Sequence, residues 1–118
     1  MAKVLLIEDD PTMLSLLNTL LEIEGYEVLH LETFENVVES VRSIVPDVIL
    51  MDVHLKDIDG LSILESIRKE NAFEDIKVIM SSGMDFNDES LSKGANGFLL
   101  KPYMPDELII LIKQLLKK

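Results

Sequence analysis

The sequence predicts an α/β fold, a doubly wound parallel sheet with helices on both faces. Three observations point there. Short aliphatic runs alternate with longer amphipathic segments along the chain. Runs such as Val4-Leu5-Leu6-Ile7 and Val48-Ile49-Leu50-Met51 lack a period of two, as strands covered on both faces do. Polar residues with chemical capability directly follow the runs, at the edge where such sheets hold their ligands.

Taken in order, Val4 to Ile7 reads as the first strand. Asp10 then caps a helix whose first position is Pro11, where a missing N–H costs nothing. Met13, Leu16, Leu17, Leu20 and Leu21 recur at helical spacing, and Gly25 supplies the stop. Tyr26 to Leu31 reads as the second strand and Phe34 to Ile44 as the second helix. Val48 to Met51 is wholly apolar and therefore predicted to be central. A loop through Gly60 leads to a helix over Leu61 to Lys69. Lys77 to Ser81 makes the fourth strand, a polar segment follows, and Phe98 to Leu100 makes the fifth. Pro105 starts the last helix, with Asp106 and Glu107 in its first turn and Lys113, Lys117 and Lys118 near its end, an order that suits the helix dipole. Five strands alternating with five helical patterns require right-handed crossovers and a parallel sheet.

The 118 residues fit one domain, read here as residues 1–118. With 47% hydrophobic residues but only four Phe, two Tyr and no Trp, the core must be aliphatic. The absence of Cys excludes disulfides and thiolate chemistry. The net charge of −11 repels phosphate backbones and anionic lipid, so no direct nucleic-acid or membrane binding is expected. Most of that charge reads simply as a solvated acidic surface. The longest apolar run, Leu108 to Ile112, falls far short of the roughly 20 residues of a spanning helix, and the first residues lack the apolar stretch of a signal peptide. A cytoplasmic protein is the plain expectation.

The strand ends carry the chemistry. The first ends in Glu8-Asp9-Asp10, the third in Asp52, the fourth in Ser81-Ser82-Gly83 and the fifth in Lys101-Pro102. Each has a bland reading: Asp10 is more readily a helix cap than a ligand, and Ser-Ser-Gly is ordinary loop chemistry. Their conjunction on one sheet edge is what points to function. Crowded carboxylates push one another toward protonation unless a cation intervenes, and a hard oxygen-ligated ion such as Mg²⁺ answers that need. A metal, a Lys ammonium and a Ser hydroxyl together could hold the three oxygens of a phosphoryl group on a carboxylate nucleophile.

In the stretches VLLIEDDP, PDVILMDVHLKDIDGL, VIMSSG and GANGFLLKP the chain resembles the receiver domains of response regulators, the CheY-like superfamily of two-component signalling, over its whole length. The resemblance implies a flavodoxin-like five-stranded sheet of order 2-1-3-4-5. It implies Asp52 as phosphoacceptor, Glu8 and Asp9 with Asp52 and the backbone carbonyl of His54 as ligands for Mg²⁺ or Mn²⁺, and Lys101 as the phosphate-pairing lysine, with a cis bond to Pro102. Ser82, preceding the small Gly83, matches the switch hydroxyl, and Phe98 the switch aromatic. The implied partner is a sensor histidine kinase or a histidine phosphotransfer protein, with a downstream protein partner and a monomer or weak phosphorylation-dependent dimer. Beyond its own phosphorylation and dephosphorylation, no enzymatic activity is implied.

Two departures stand out. Lys56 occupies a position usually held by Pro, which implies a more mobile loop. The stretch from Ser82 to Phe98 is short for the family and poor in apolar anchors, so its helix is expected to be truncated or irregular, which puts the family's common dimer face in doubt. His30, on an expected edge strand, reads as a surface residue. The competing class is a metal-dependent phosphohydrolase with an aspartyl nucleophile, but such enzymes want a second Asp where His54 stands. A flavodoxin-like cofactor site would need a phosphate-binding loop where Glu8-Asp9-Asp10 would repel phosphate. No output domain follows the last helix, which leaves a stand-alone receiver and a piece of a longer regulator or hybrid kinase equally open.

Overall fold

The computed structural model describes residues 1–117. Its elements follow the chain as β1 (Lys3–Ile7), α1 (Pro11–Ile23), β2 (Glu27–His30), α2 (Val37–Ile44), β3 (Val48–Asp52), a small hairpin β4 (His54–Leu55) and β5 (Ile58–Asp59), α3 (Gly60–Arg68), β6 (Lys77–Ser82), α4 (Asn87–Ser92), β7 (Gly97–Leu100) and α5 (Pro105–Leu116). A single 3-10 turn at Asn71–Phe73 joins α3 to β6. The main sheet is parallel throughout, in the order β2-β1-β3-β6-β7. With the hairpin strands set aside, this is the 2-1-3-4-5 order that the resemblance implies. Every residue of β3 is buried, which is why its sequence shows no alternation.

The period of two sorts the strand residues onto two faces. Leu5, Ile7, Ile49, Met51, Val78 and Met80 pack against Val37 and Val41 of α2 and Leu64 and Ile67 of α3. Val4, Leu6, Val48, Leu50 and Ile79 pack against Leu17 and Leu21 of α1 and Leu108 and Ile112 of α5. Two aliphatic layers therefore clamp the sheet and fix the position of its C-terminal edge.

Most boundaries lie within a residue of the expectation, and the exceptions have reasons. The second helix starts at Val37 instead of Phe34, because Asn36 at its N-cap is not helical. Phe34 is buried with Val37 and Val41 from the preceding loop. Its three-residue spacing ahead of Val37 mimics a helical turn, so periodicity alone extends the helix too far. The second strand is limited to Glu27–His30 by its place at the sheet edge, where only β1 offers partners. The fourth helix is truncated as expected, with six residues and no side-chain cap, and Ser90 is its one buried residue. Lys113 lies in the last turn of α5 and Lys117 caps it, while Lys118 falls outside the described residues. Among the described residues, no helix is long and apolar enough to cross a membrane.

Candidate functional site

Glu8 and Asp9 follow β1 directly, Asp52 ends β3, and Lys101 follows β7, so the parallel topology alone brings them to one edge. The side chains meet there. Lys101 Nζ donates to Asp52 Oδ2 at 2.8 Å and to Glu8 Oε2 at 3.0 Å. Carboxylate oxygens of Glu8, Asp9 and Asp52 all lie within 4.8 Å of one another. Backbone amides hold one oxygen of each acid. Asp10 N–H donates to Glu8 Oε1 at 3.2 Å, His54 N–H to Asp52 Oδ1 at 3.2 Å, and Lys56 N–H to Asp9 Oδ2 at 3.0 Å.

Burial raises the Glu8 carboxyl above its ordinary range, and the Lys101 ammonium only partly offsets that. Burial by itself would lower Lys101, but its hydrogen bonds to Asp52 and Glu8 outweigh it and hold the ammonium above 10.5. Three carboxylates and one ammonium leave a formal −2 (three negative charges against one positive) in this pocket. A divalent cation cancels that charge, and an all-oxygen donor set is what Mg²⁺ or Mn²⁺ prefers. The residues present therefore fit such an ion.

Asp10, in contrast, turns away to its helix. Its Oδ1 accepts from Thr12 N–H at 2.9 Å and Met13 N–H at 3.3 Å, the N-cap arrangement expected from its place before Pro11. Gly60 opens α3 immediately below Asp52. Its N–H donates to the Val53 carbonyl at 2.6 Å, and a Cβ there would press into the Asp52 backbone carbonyl, so only glycine permits this close return of the chain.

The loop after Asp52 is a hairpin with Lys56 and Asp57 at its tip, and Lys56 sits at φ 53. Proline could neither adopt that angle nor supply the amide that reaches Asp9, so the departure at Lys56 gives the acidic site a backbone contact. The His54 ring is exposed and meets Phe86 edge-on at 5.6 Å, outside the acidic cluster. His30 pairs at the surface with Glu32 at 3.3 Å.

Ser82 is fully buried, and its Oγ accepts from Met84 N–H at 3.1 Å. It shares a face with Met80, whose register partner is Phe98 on β7. The hydroxyl and the aromatic are thus on the same side of the sheet, and Phe98 packs partly buried against the core there. The Lys101–Pro102 bond is cis. Sequence reading singled out Lys56 but not the contact that its amide makes, since nothing local announces an amide that bonds a residue 47 positions away. It also passed over Tyr103, two residues after Lys101, whose side chain is buried in the layer of α1 and α5.

Comparison with known proteins points to one family and one fold. The response regulator receiver domain family matches residues 4–113. Among curated proteins, the sensory transduction protein BceR of Halalkalibacterium halodurans is 31% identical over 121 residues, covering 100% of this chain and 51% of that protein. The alkaline phosphatase synthesis transcriptional regulatory protein PhoP of Bacillus subtilis is 26% identical and covers 98% of this chain and 49% of itself. The chain thus spans about half the length of these curated relatives. Among solved structures, the receiver domain of the Francisella response regulator 1452 superposes with a TM-score of 0.88 at 29% identity, covering 98% of this chain and 96% of that one. The signal receiver domain of a DNA binding response regulator from Colwellia psychrerythraea 34H gives 0.88 at 26% identity over 100% of both chains.

Proposed function

The chain belongs to the response regulator receiver domain family of two-component systems, and from that premise we propose that it is a phosphorylation-activated switch in which Asp52 takes a phosphoryl group in a Mg²⁺-dependent reaction. The single observation that carries the reading is the bridge from Lys101 to both Asp52 and Glu8, inside a cluster of acids with room for a cation. The donor is a histidine kinase or a histidine phosphotransfer protein. An Asp52 oxygen forms the new bond to phosphorus, the donor's N–P bond breaks, and its electron pair stays on the imidazole. Glu8, Asp9, Asp52 and the His54 carbonyl would hold the ion, which would supply neutralisation of charge on the phosphoryl oxygens. Lys101 leaves the carboxylates to pair with the transferred group. A phosphohydrolase would want an acid at position 54, where this chain has an exposed ring packed on Phe86.

Incubation with a small acyl phosphate tests this without a kinase, because nucleophile, ligands and lysine belong to one chain. Intact mass is expected to rise by one phosphoryl group with Mg²⁺ and to stay unchanged when a chelator removes it. Incorporation indifferent to the metal would overturn the reading.

The switch follows from the sheet face that Ser82 and Phe98 share. Ser82 turns its O–H toward the new phosphoryl oxygens, and the vacated space receives the Phe98 ring. Helix α4 has little to hold it in place, so its opening free energy is low. Filling the site with Mg²⁺ and beryllofluoride is expected to slow hydrogen exchange over residues 85–98, and Ser82→Ala to abolish the slowing. Unchanged exchange with a filled site would remove this segment from the output surface. Exposed Leu91, Leu100 and Ile110, on α4, β7 and α5, offer that surface to a downstream protein or a second copy, so that the domain is a monomer or pairs weakly after phosphorylation.

A further inference from the structure

The hairpin of β4 and β5 holds two of the three acids through its backbone. His54 N–H donates to Asp52 Oδ1 at 3.2 Å, and Lys56 N–H donates to Asp9 Oδ2 at 3.0 Å. The His54 carbonyl, expected among the ion's ligands, belongs to the same strand. Yet the ladder is only His54 against Asp59 and Leu55 against Ile58. A two-stranded hairpin of that size is marginal by itself in water, so contacts outside it must keep it closed. Leu55 is fully buried and Ile58 packs against the α2/α3 layer of the core, which fixes the pair nearer the tip. Asp59 is held by its cap on α3, where its Oδ1 accepts from Leu61 N–H at 3.0 Å. The remaining corner is His54, next to the phosphoacceptor strand. Its ring is exposed and meets Phe86 with 5.6 Å between centroids and the planes at 73°, a favourable edge-to-face pair.

Phe86 is the anchored side of that pair. It packs partly buried against the same core layer as Ile58. It is also the N-cap residue of α4, a helix without a side-chain cap bond, and its carbonyl accepts from Ser90 N–H at 2.9 Å. Two marginal elements, the hairpin and the first turn of α4, therefore meet at one ring. We propose that Phe86 is a positioning residue for the acidic site, bracing through the His54 ring the hairpin whose amides hold Asp52 and Asp9. Cation affinity then depends on a side chain outside the acidic cluster. An open hairpin takes both amides and the His54 carbonyl away from the acids, so the apparent affinity falls with the closed fraction. This rests on the cation reading of Glu8, Asp9 and Asp52.

His54→Ala, Phe86→Leu, Phe86→Tyr and the double variant His54→Ala/Phe86→Leu are compared with wild type in three measurements. These are hydrogen exchange of the metal-free protein, calorimetric titration with Mg²⁺, and urea melts. Phe86→Leu keeps the apolar packing and loses the ring, whereas Phe86→Tyr keeps the ring. In His54→Ala and Phe86→Leu the Lys56 and Ser90 amides are expected to exchange faster. Their Mg²⁺ affinity is expected to weaken roughly two- to tenfold, the range that one aromatic pair supports. Phe86→Tyr is expected to stay near wild type in both readouts. Because the two rings act through one contact, the double variant should bind Mg²⁺ no more weakly than the weaker single variant. A merely structural Phe86 would lower the urea midpoint and leave Mg²⁺ affinity alone. That result, or losses that add in the double variant, would overturn the proposal. An unchanged His54→Ala overturns it even where a Phe86 variant fails to fold, because the His54 ring is exposed and its removal leaves the core intact. Wild type that takes up no Mg²⁺ would refute the cation reading instead, and the metal-free exchange would still decide the brace.

Discussion

Asp52→Asn is expected to abolish phosphoryl incorporation completely, while Lys101→Met leaves the acceptor in place and slows incorporation by roughly 10²–10³-fold, the usual cost of removing one donor to a developing charge. The contrast follows from their places in one ion network. Asn keeps the shape of Asp52 and can still accept from His54 N–H, but its amide is no nucleophile. Methionine keeps the stem of Lys101 and removes the charge that joins Asp52 to Glu8. Intact mass after a timed exposure to acyl phosphate reads both effects. Full incorporation by Asp52→Asn would move the acceptor elsewhere. A wild-type rate in Lys101→Met would leave the lysine only a structural part.

The same network sets a pH signature. Lys101 is held above its ordinary 10.5, so its contribution to stability is complete below that value and is lost as the pH climbs through the raised folded one. Glu8 is raised too, with burial as the main cause, so its ionisation disfavours the metal-free fold and stability recovers as it protonates at lower pH. Tyr103, pushed up to about 12 by burial, adds an alkaline loss of its own. Lys101→Met is therefore expected to reduce the alkaline loss and to sharpen the gain on acidification, both visible in melts across pH without added metal.

The fold was legible because strands buried on both faces leave unbroken apolar runs, and Val48 to Met51 showed its central place in that way. The placement of the candidate site residues was legible for a related reason. Once the strands are parallel, Glu8, Asp52, Ser82 and Lys101 must share one edge whatever the loops do. What escaped depends on contacts without a periodic trace. Phe34 imitates a helical position from a loop, and the hairpin of His54–Leu55 with Ile58–Asp59 is too short for alternation to register. The Lys56 amide reaches Asp9 only because the chain enters φ 53 at the hairpin tip, a backbone choice that no side chain at that position advertises. Tyr103 hides among apolar neighbours as one more ring until its hydroxyl, without a hydrogen-bond partner among the described residues, is seen.

Asp9→Ala and Asp10→Ala, adjacent in sequence, are expected to fail in opposite ways. Asp9 lies in the acidic cluster with one oxygen on the Lys56 amide, which leaves Oδ1 for an ion. Its removal takes away a direct carboxylate ligand. Outer-shell partners alone cost 10–100-fold in metal affinity, so Mg²⁺ binding should weaken by more than about 100-fold. The hairpin amide at Lys56 loses its acceptor as well, and its hydrogen exchange should quicken. Asp10 spends its side chain on Thr12 and Met13, so its loss should cost about 1 kcal/mol of stability and leave Mg²⁺ affinity near wild type. Calorimetric titration beside urea melts separates the two residues. Equal Mg²⁺ affinity in Asp9→Ala and wild type would take Asp9 out of the ion's shell. An Mg²⁺ defect in Asp10→Ala at unchanged stability would reassign the ligand to the residue that the structure turns toward the helix.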